Sequence, residues 1–176
     1  MIPRLWATAL LVGVTGCATP WPVVTDATAW TTGRLSLHVQ AWQDRPAQSL
    51  SAAFELRAHA SAGELRLLSP LGTLMVAATW DPQVATLSTP EGQRRFDSLD
   101  QLSKQALGET LPLAALPDWL AGRPWPQAAH QLQADGFEQL GWRITTNRFV
   151  EGWISATRES PPQVKLRVKL ERADPA

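Results

Sequence analysis

The sequence predicts a mainly β protein in which one antiparallel sheet curls around a few α-helices. Short alternations of apolar and polar residues recur along most of the chain, turns containing Gly or Pro separate them, and helical spacing interrupts them only once. Strands joined by short turns pair antiparallel, and a sheet with this many strands curls, so we expect the helices to pack on its concave side. Such a sheet either fills its interior with side chains or leaves room for a ligand.

The alternating pattern between Leu35 and Phe96 predicts a run of strands, each with its apolar residues on one face. The predicted strands are Leu35–Ala41, Leu50–Leu56, Leu65–Leu67, Leu74–Trp80, Val84–Ser88 and Arg94–Phe96. The last two flank the turn cluster Thr89–Gln93, which predicts a hairpin.

Helical spacing replaces this alternation after Phe96. Ser98 followed by Gln101 resembles a capping box, and Gly108 is placed to end the helix that they begin. A second helical stretch follows from Pro112 to Gly122, and Pro117 is predicted to divide it into two turns.

The strands resume after the helices and complete a single domain. They are predicted at Gln131–Ala134, Phe137–Leu140, Trp142–Thr146, Gly152–Thr157 and Val164–Leu170. Asp135–Gly136, between the first two, is a usual pair for a tight hairpin turn.

The amino terminus has the features of a bacterial secretory signal. Arg4 precedes the apolar run Ala7–Val14, which is too short to span a bilayer, and small residues lead to Cys17, the only cysteine. Val14-Thr15-Gly16-Cys17 also resembles the lipobox of bacterial lipoproteins. That resemblance implies removal of the signal before the cysteine, diacylglycerol on its thiol, and acylation of the new amino terminus with a chain such as palmitate.

We therefore expect a signal peptide at residues 1–16, a lipidated Cys17 with a tether over 17–32, and a folded domain over 33–172. The resemblance also implies the outer membrane, periplasmic face, because Ala18 stands where an aspartate commonly signals inner-membrane retention. A plain signal peptide with a chance cysteine, or a buried core thiol, is the alternative.

The composition argues against several classes of function. The chain has 16 basic and 16 acidic residues, so we expect no nucleic-acid partner. His38, His59 and His130 have no metal-binding spacing, and the chain has no nucleophile elbow or phosphate-binding loop. We expect no catalytic residue, no metal and no cofactor, and therefore no enzyme.

Ser69-Pro70-Leu71-Gly72 has the residues of a type I turn and leaves Leu71 at its third position. Exposing a leucine there forgoes roughly 1.5–3 kcal/mol of burial, which favours contact with lipid or a partner. Folding of Leu71 back onto the sheet is the alternative, and the sequence leaves both open.

Five segments in a fixed order resemble the LolB family of outer-membrane lipoprotein receptors. They are Gly33-Arg34-Leu35, Gly63–Thr73, Leu107–Pro112, Leu116–Pro124 and Gly141–Ile144, and the likeness extends over about Gly33 to Leu170. The resemblance implies a half-open antiparallel β-barrel with a helical lid over an apolar cavity. We expect a monomer.

The resemblance also implies a function. LolB-like proteins receive lipoproteins from the periplasmic carrier LolA and insert them into the inner leaflet of the outer membrane, and the acyl chains of the client lie in the apolar cavity. Leu71, with Pro70 and Gly72, matches the family's protruding loop, which is implicated in membrane insertion. The chain lacks the family's tyrosines and its further strand ending in an aromatic residue, so the sequence leaves the closing edge of the barrel undetermined.

Eleven apolar residues are candidates for the lining of the cavity, and each also suits an ordinary core. They are Leu35, Leu37, Phe54, Leu65, Leu67, Val76, Trp80, Leu102, Leu116, Trp119 and Trp142. Arg34, Arg57 and Arg66 are candidates for contact with an acidic rim on the carrier, or for ordinary solvated positions.

Two other functions remain open at this point. A structural lipoprotein would scaffold outer-membrane assembly through protein contacts, without lipid transfer, and would have a filled interior. A periplasmic hydrolase would need a convergent polar cluster.

Overall fold

One open antiparallel sheet of eleven strands dominates the computed structural model, which describes residues 29–59 and 61–171. The strands are β1 Thr31–Val39, β2 Gln48–His59, β3 Ala62–Leu68, β4 Leu74–Trp80, β5 Ala85–Thr89, β6 Gly92–Phe96, β7 His130–Gln133, β8 Gly136–Gln139, β9 Trp142–Thr145, β10 Trp153–Arg158 and β11 Val164–Leu170. The helices are α1 Leu99–Leu107 and α2 Leu116–Leu120, and a 3-10 turn covers Phe149–Glu151. The predicted signal peptide, Cys17 and the tether as far as residue 28 lie outside the described residues.

The strand order is β6-β5-β4-β3-β2-β1-β11-β10-β9-β8-β7, and every neighbouring pair is antiparallel. β6 and β7 form the two edges, so the sheet does not close on itself. β11 lies at the centre between β1 and β10, so the closing edge that the sequence left undetermined does not involve this strand. The predicted class, a mainly β half-open barrel with a few helices, is confirmed.

The alternation of residues decides which face of the sheet meets the helices. In β11, Val164, Leu166 and Val168 are buried, while Lys165 and Arg167 between them are exposed. Successive side chains of a strand point to opposite faces, so this pattern makes one face apolar and the other polar. α1 packs against β5 and β6 on the apolar face, and α2 packs against β2.

α1 begins and ends where the sequence predicts. The Gln101 amide donates to Ser98 Oγ at 3.2 Å, and Gly108 ends the helix in the left-handed region with φ +73. The Ser98 contact satisfies a backbone N–H that the start of a helix otherwise leaves without a partner.

The second helical stretch differs from its prediction. Residues 113–115 form a turn instead of a helix, and Pro117 lies in the first turn of α2 instead of dividing it. A proline is tolerated there because the first turn of a helix has no partner for its backbone N–H.

The β7–β8 hairpin is shifted by one residue from its prediction. Ala134 and Asp135 form the turn, and Gly136 begins β8. An added Cβ at Gly136 would lie 1.9 Å from the carbonyl oxygen of Ile144. The glycine therefore permits close approach of two strands, and its φ of +157 is one that other residues rarely adopt.

Gly63 permits a similar close approach inside the sheet. An added Cβ would lie 2.4 Å from Trp80 Cζ2 and 2.9 Å from the carbonyl oxygen of Arg57. We expect Gly63→Ala to lower the free energy of unfolding by about 1–3 kcal/mol, because overpacking forces rigid neighbours apart. Urea unfolding measures the change. Ser51→Ala, on an exposed position of β2, should change it by less than about 0.5 kcal/mol, and equal stability of both variants would contradict the packing described.

Candidate functional site

A wholly apolar cavity lies between the concave face of the sheet and the helical segments, and its volume is about 50 Å³. β1, β2, β3 and β11 supply one side, and α1, the 111–113 segment and α2 supply the other. The lining residues are Leu35, Leu37, Leu50, Phe54, Leu56, Leu65, Leu67, Leu107, Leu111, Leu113, Leu116, Leu120, Leu166 and Val168. We call residues 99–120 the helical cover.

The structure brings six of the predicted lining residues together at this cavity: Leu35, Leu37, Phe54, Leu65, Leu67 and Leu116. The other five lie elsewhere. Trp80, Leu102, Trp119 and Trp142 are buried core residues, and Val76 is half-buried. Pattern reasoning missed eight lining residues: Leu50, Leu56, Leu107, Leu111, Leu113, Leu120, Leu166 and Val168. Alternation along the predicted strands could have identified Leu50, Leu56, Leu166 and Val168.

The cavity is small in this conformation. Ligand pockets commonly measure about 300–1,000 Å³, several times the 50 Å³ observed here. The lining side chains are leucine, valine and phenylalanine, which have no polar group and pack without a preferred direction. No hydrogen bond between lining side chains therefore fixes the helical cover against the sheet. Admission of a chain-like ligand therefore requires the helical cover to move away from the sheet.

Charged groups hold one side of the helical cover to the sheet. The carboxylate of Glu109, just after α1, accepts from Arg158 Nη2 at the end of β10 and pairs with Arg45 Nη2, each at 2.9 Å. Arg45 also donates to the carbonyl oxygen of Gly108 at 2.9 Å. Arg158 and Glu109 are 15% and 12% exposed, so water screens their interaction only in part. We call these three side chains the Glu109 latch.

Gln139 holds α2 and the segment after it through four hydrogen bonds. Its Oε1 accepts from Trp119 Nε1 at 2.8 Å and from the Trp125 amide at 2.9 Å. Its Nε2 donates to the carbonyl oxygens of Trp125 and Ala128 at 2.7 and 2.8 Å. One buried side chain thus orients α2 and the segment that follows it. Sequence analysis missed Gln139, because no local pattern distinguishes it from other polar strand residues.

The Ser69–Thr73 loop projects Leu71 away from the sheet. The Gly72 amide donates to the carbonyl oxygen of Ser69 at 2.9 Å, and the Thr73 amide donates to Ser69 Oγ at 3.2 Å. Leu71 itself is 94% exposed. The alternative in which Leu71 folds back onto the sheet is therefore wrong, and a hydrogen-bonded turn presents this leucine to solvent.

Two of the three arginines considered for carrier contact take part in an internal network. Arg57 Nη2 and Arg66 Nε each lie 2.7 Å from the buried carboxylate of Glu64. Both guanidinium groups also lie 4.5 Å from the ring centroid of Trp30. Burial lowers the pKa of Arg66, but hydrogen bonds and charges from Glu64 and Glu55 outweigh burial and raise it. Arg34 is exposed.

A larger open cleft of about 770 Å³ lies beside the start of α1 and the end of β4. Three aspartates line it, and two of them have evident structural partners. Asp81 accepts from the amides of its own turn, and Asp118 pairs with Arg123 at 2.7 Å. Among residues 29–59 and 61–171, no group of three or more His, Cys, Asp or Glu side chains is placed to hold a metal ion. Within the same ranges no helix has the length and apolar character needed to cross a bilayer.

The fold and site define a class of protein: an open antiparallel half-barrel whose apolar concave face is covered by helices. A family model described as outer membrane lipoprotein LolB matches residues 28–172. The chain belongs to the LolB family.

Individual relatives carry the name outer-membrane lipoprotein LolB. One from Chromobacterium violaceum is 31% identical over 95% of this chain and 92% of its own length. One from Thiobacillus denitrificans is 35% identical over 73% of this chain and 74% of its own length. One from Ralstonia nicotianae is 35% identical over 58% of this chain, and the match spans about half, 52%, of that relative's length.

Gln139→Leu tests the hydrogen-bonded junction described above. The substitution leaves the Trp119 ring N–H, the Trp125 backbone and the Ala128 carbonyl without their partner, and each buried unsatisfied group costs about 1–3 kcal/mol. We expect the free energy of unfolding to fall by at least about 2 kcal/mol in urea titrations. Gln131→Leu, on the exposed edge strand β7, is the matched control. A stability of Gln139→Leu equal to the control would contradict the junction.

Proposed function

We propose that this protein receives lipoproteins from the periplasmic carrier LolA and inserts them into the outer membrane. The acyl chains of the client would occupy the apolar interior between the sheet and the helical cover. The observation that carries the proposal is the cavity lining, which consists of leucine, valine and phenylalanine alone and joins β1, β2, β3 and β11 to the cover. Family membership supports the same role. The role involves no enzymatic step.

The proposal includes a lipid anchor. Signal removal after residue 16 would leave Cys17 as the acylated first residue, with the tether over 17–32 leading to a domain over 33–172. The lipobox-like Val14–Cys17 sequence supports this anchor, and each buried methylene adds about 0.8 kcal/mol of membrane affinity. The names of the relatives support the outer membrane, and the periplasmic face follows from the role.

Client binding requires the helical cover to open. Since the cavity measures only about 50 Å³, an acyl chain enters as the cover separates from the concave face and hydrocarbon replaces leucine contacts. Moving a methylene from one apolar surface to another changes its free energy little. The Glu109 latch is the polar link that must yield or bend, because it ties the end of α1 to β10.

Release into the membrane is assigned to the Leu71 loop. Its leucine is exposed in the free protein, so insertion into a bilayer recovers roughly 1.5–3 kcal/mol that folding leaves unused. The flanking Pro70 and Gly72 belong to the turn that presents Leu71.

A structural lipoprotein that scaffolds assembly through protein contacts is the second candidate. The small cavity favours it, because that role predicts a filled interior. The two candidates differ in one respect: only the transfer role requires hydrocarbon to enter between the cover and the sheet.

Leu71→Glu tests the release step. We expect transfer of a labelled lipoprotein from LolA into vesicles to slow roughly ten-fold or more, because the apolar contribution of Leu71 to insertion is lost. Near-ultraviolet circular dichroism and the unfolding midpoint should match the parent, since Leu71 has no packing partner to lose. Leu71→Met keeps the apolar tip and should preserve transfer. Unimpaired transfer by a well-folded Leu71→Glu protein would refute this role.

Leu107→Glu tests the cavity. Leu107 lines the cavity but is only half-buried, so the variant can fold with the carboxylate at the cavity edge. We expect capture of labelled lipoprotein from LolA to weaken about ten-fold, because a charge beside hydrocarbon is costly. Gln105→Glu makes the same charge change on an exposed position of α1 and should capture normally. Equal capture by both variants would contradict the cavity as the place where the acyl chains bind, and failure of the parent protein to capture any lipoprotein would favour the structural candidate.

A further inference from the structure

The connection between β9 and β10 presents a second exposed apolar turn. Val150 is 81% exposed, and Phe149 and Trp153 beside it are each 37% exposed. The 3-10 turn Phe149–Glu151 fixes Val150 near its apex. This turn resembles the Leu71 loop in presenting one aliphatic side chain to solvent.

The turn lies at the end of the sheet where β1 begins. The Leu170 amide donates to the carbonyl oxygen of Gly152 at 2.8 Å, and Leu170 pairs with Gly33 of β1. Leu71 lies at the opposite end, because the β3–β4 connection is at the far end of antiparallel strands. Leu68, at the end of β3, lies in the same register row as Trp153, at the start of β10, through Ala53, Arg34 and Lys169. The two turns therefore leave the sheet in opposite directions from one level of the strands.

A shallow groove of about 310 Å³ runs beside this turn on the outer face of the sheet. Arg148 and Arg167 line it, together with Trp153. Arg167 lies opposite Ser155 of β10, and Ser155 lies opposite Thr145 of β9. A guanidinium group and two hydroxyl groups therefore form one row across three strands. Such a set of donors suits a phosphate oxygen.

The charges around the groove are mainly positive. Arg148 pairs with Glu151 at 2.6 Å, and Lys169 donates to the carbonyl oxygen of Glu151 and lies 5.3 Å from the Trp153 ring centroid. Arg167 makes no ion pair within the part of the chain that the structure describes. Three cations thus accompany one carboxylate, and one of the cations is available to a ligand.

We propose that this turn and groove, together the Val150 patch, bind the surface of a bilayer that contains anionic phospholipid. Val150 enters the interfacial region, Trp153 lies at headgroup level, and a lipid phosphate lies against Arg167. Aromatic and basic side chains are favoured at such interfaces. The inference rests on the proposed Cys17 anchor, since the chain from that residue joins the sheet at this end.

The proposal gives the anchored protein a resting orientation. With the Val150 patch on the bilayer, Leu71 points away from it. Insertion by Leu71 then requires the body to turn over. The 14 steps from Cys17 to Thr31 can span at most about 45 Å, so a tether of this length permits the movement.

The test uses the full lipid-anchored protein with Val150→Cys. Acylation consumes Cys17, the only native cysteine, so an environment-sensitive fluorophore labels the new thiol alone. The protein is reconstituted in vesicles of phosphatidylethanolamine with either phosphatidylglycerol or phosphatidylcholine, some of which carry nitroxide-labelled lipid. We expect blue-shifted emission and nitroxide quenching, both stronger with phosphatidylglycerol.

A second substitution tests the groove. We expect Arg167→Gln in the labelled protein to lower the ratio of molecules whose turn contacts the membrane to molecules whose turn does not. On phosphatidylglycerol vesicles the ratio should fall about five-fold, because one basic residue contributes about that much at an anionic surface. The substitution should have no effect on phosphatidylcholine vesicles. Arg95→Gln, an identical charge change on the exposed edge strand β6, should behave like the parent.

Three outcomes would overturn the inference. If the labelled protein floats with vesicles but its emission stays as in water, the patch does not contact the bilayer and the anchor proposal stands. A blue shift that appears without vesicles and rises with protein concentration would indicate contact with a second copy. Failure of the protein to float with vesicles would contradict both the proposed Cys17 anchor and this inference. The proposed role of the cavity would still be tested separately by the transfer assays.

Discussion

The contact between the leucine-lined concave face and the helical cover is the interaction on which the rest of the structure depends. It contains no hydrogen bond between the lining side chains, so its free energy comes from removal of apolar surface from water and from dispersion. Hydrocarbon of a ligand can replace such a contact at little cost. A polar or interlocked contact could not be exchanged in this way.

Polar groups lie at the borders of this contact and give the cover its position. Gln139 satisfies four groups around Trp119, Trp125 and Ala128 and is itself buried. The Glu109 latch is partly exposed and holds one segment through charged pairs. Gln139 bonds four groups on three residues of the layer that covers the sheet, whereas the latch holds only its 108–109 end, so we place the start of the proposed opening near Glu109 and its pivot near Gln139.

Much of the sheet could be predicted from sequence because its signals are local. Alternation in Val164–Leu170 and capping of α1 by Ser98 are properties of adjacent residues. The shifted β7–β8 turn could not be predicted, because Gly136 is required by Ile144 on another strand. The tryptophans misled the cavity prediction for a related reason. A buried tryptophan has the same pattern in a core as in a pocket, and only tertiary packing places Trp119 and Trp142 against each other, with ring centroids 6.2 Å apart.

The most direct test of the central claim is to locate the hydrocarbon of a client. A lipoprotein with a photoreactive group in its acyl chains would be transferred from LolA to this protein, irradiated and mapped by mass spectrometry. The account predicts cross-links on the cover and on facing strands, at residues such as Leu113, Leu120 and Leu166. Cross-links confined to the outer surface, or none above background, would contradict it.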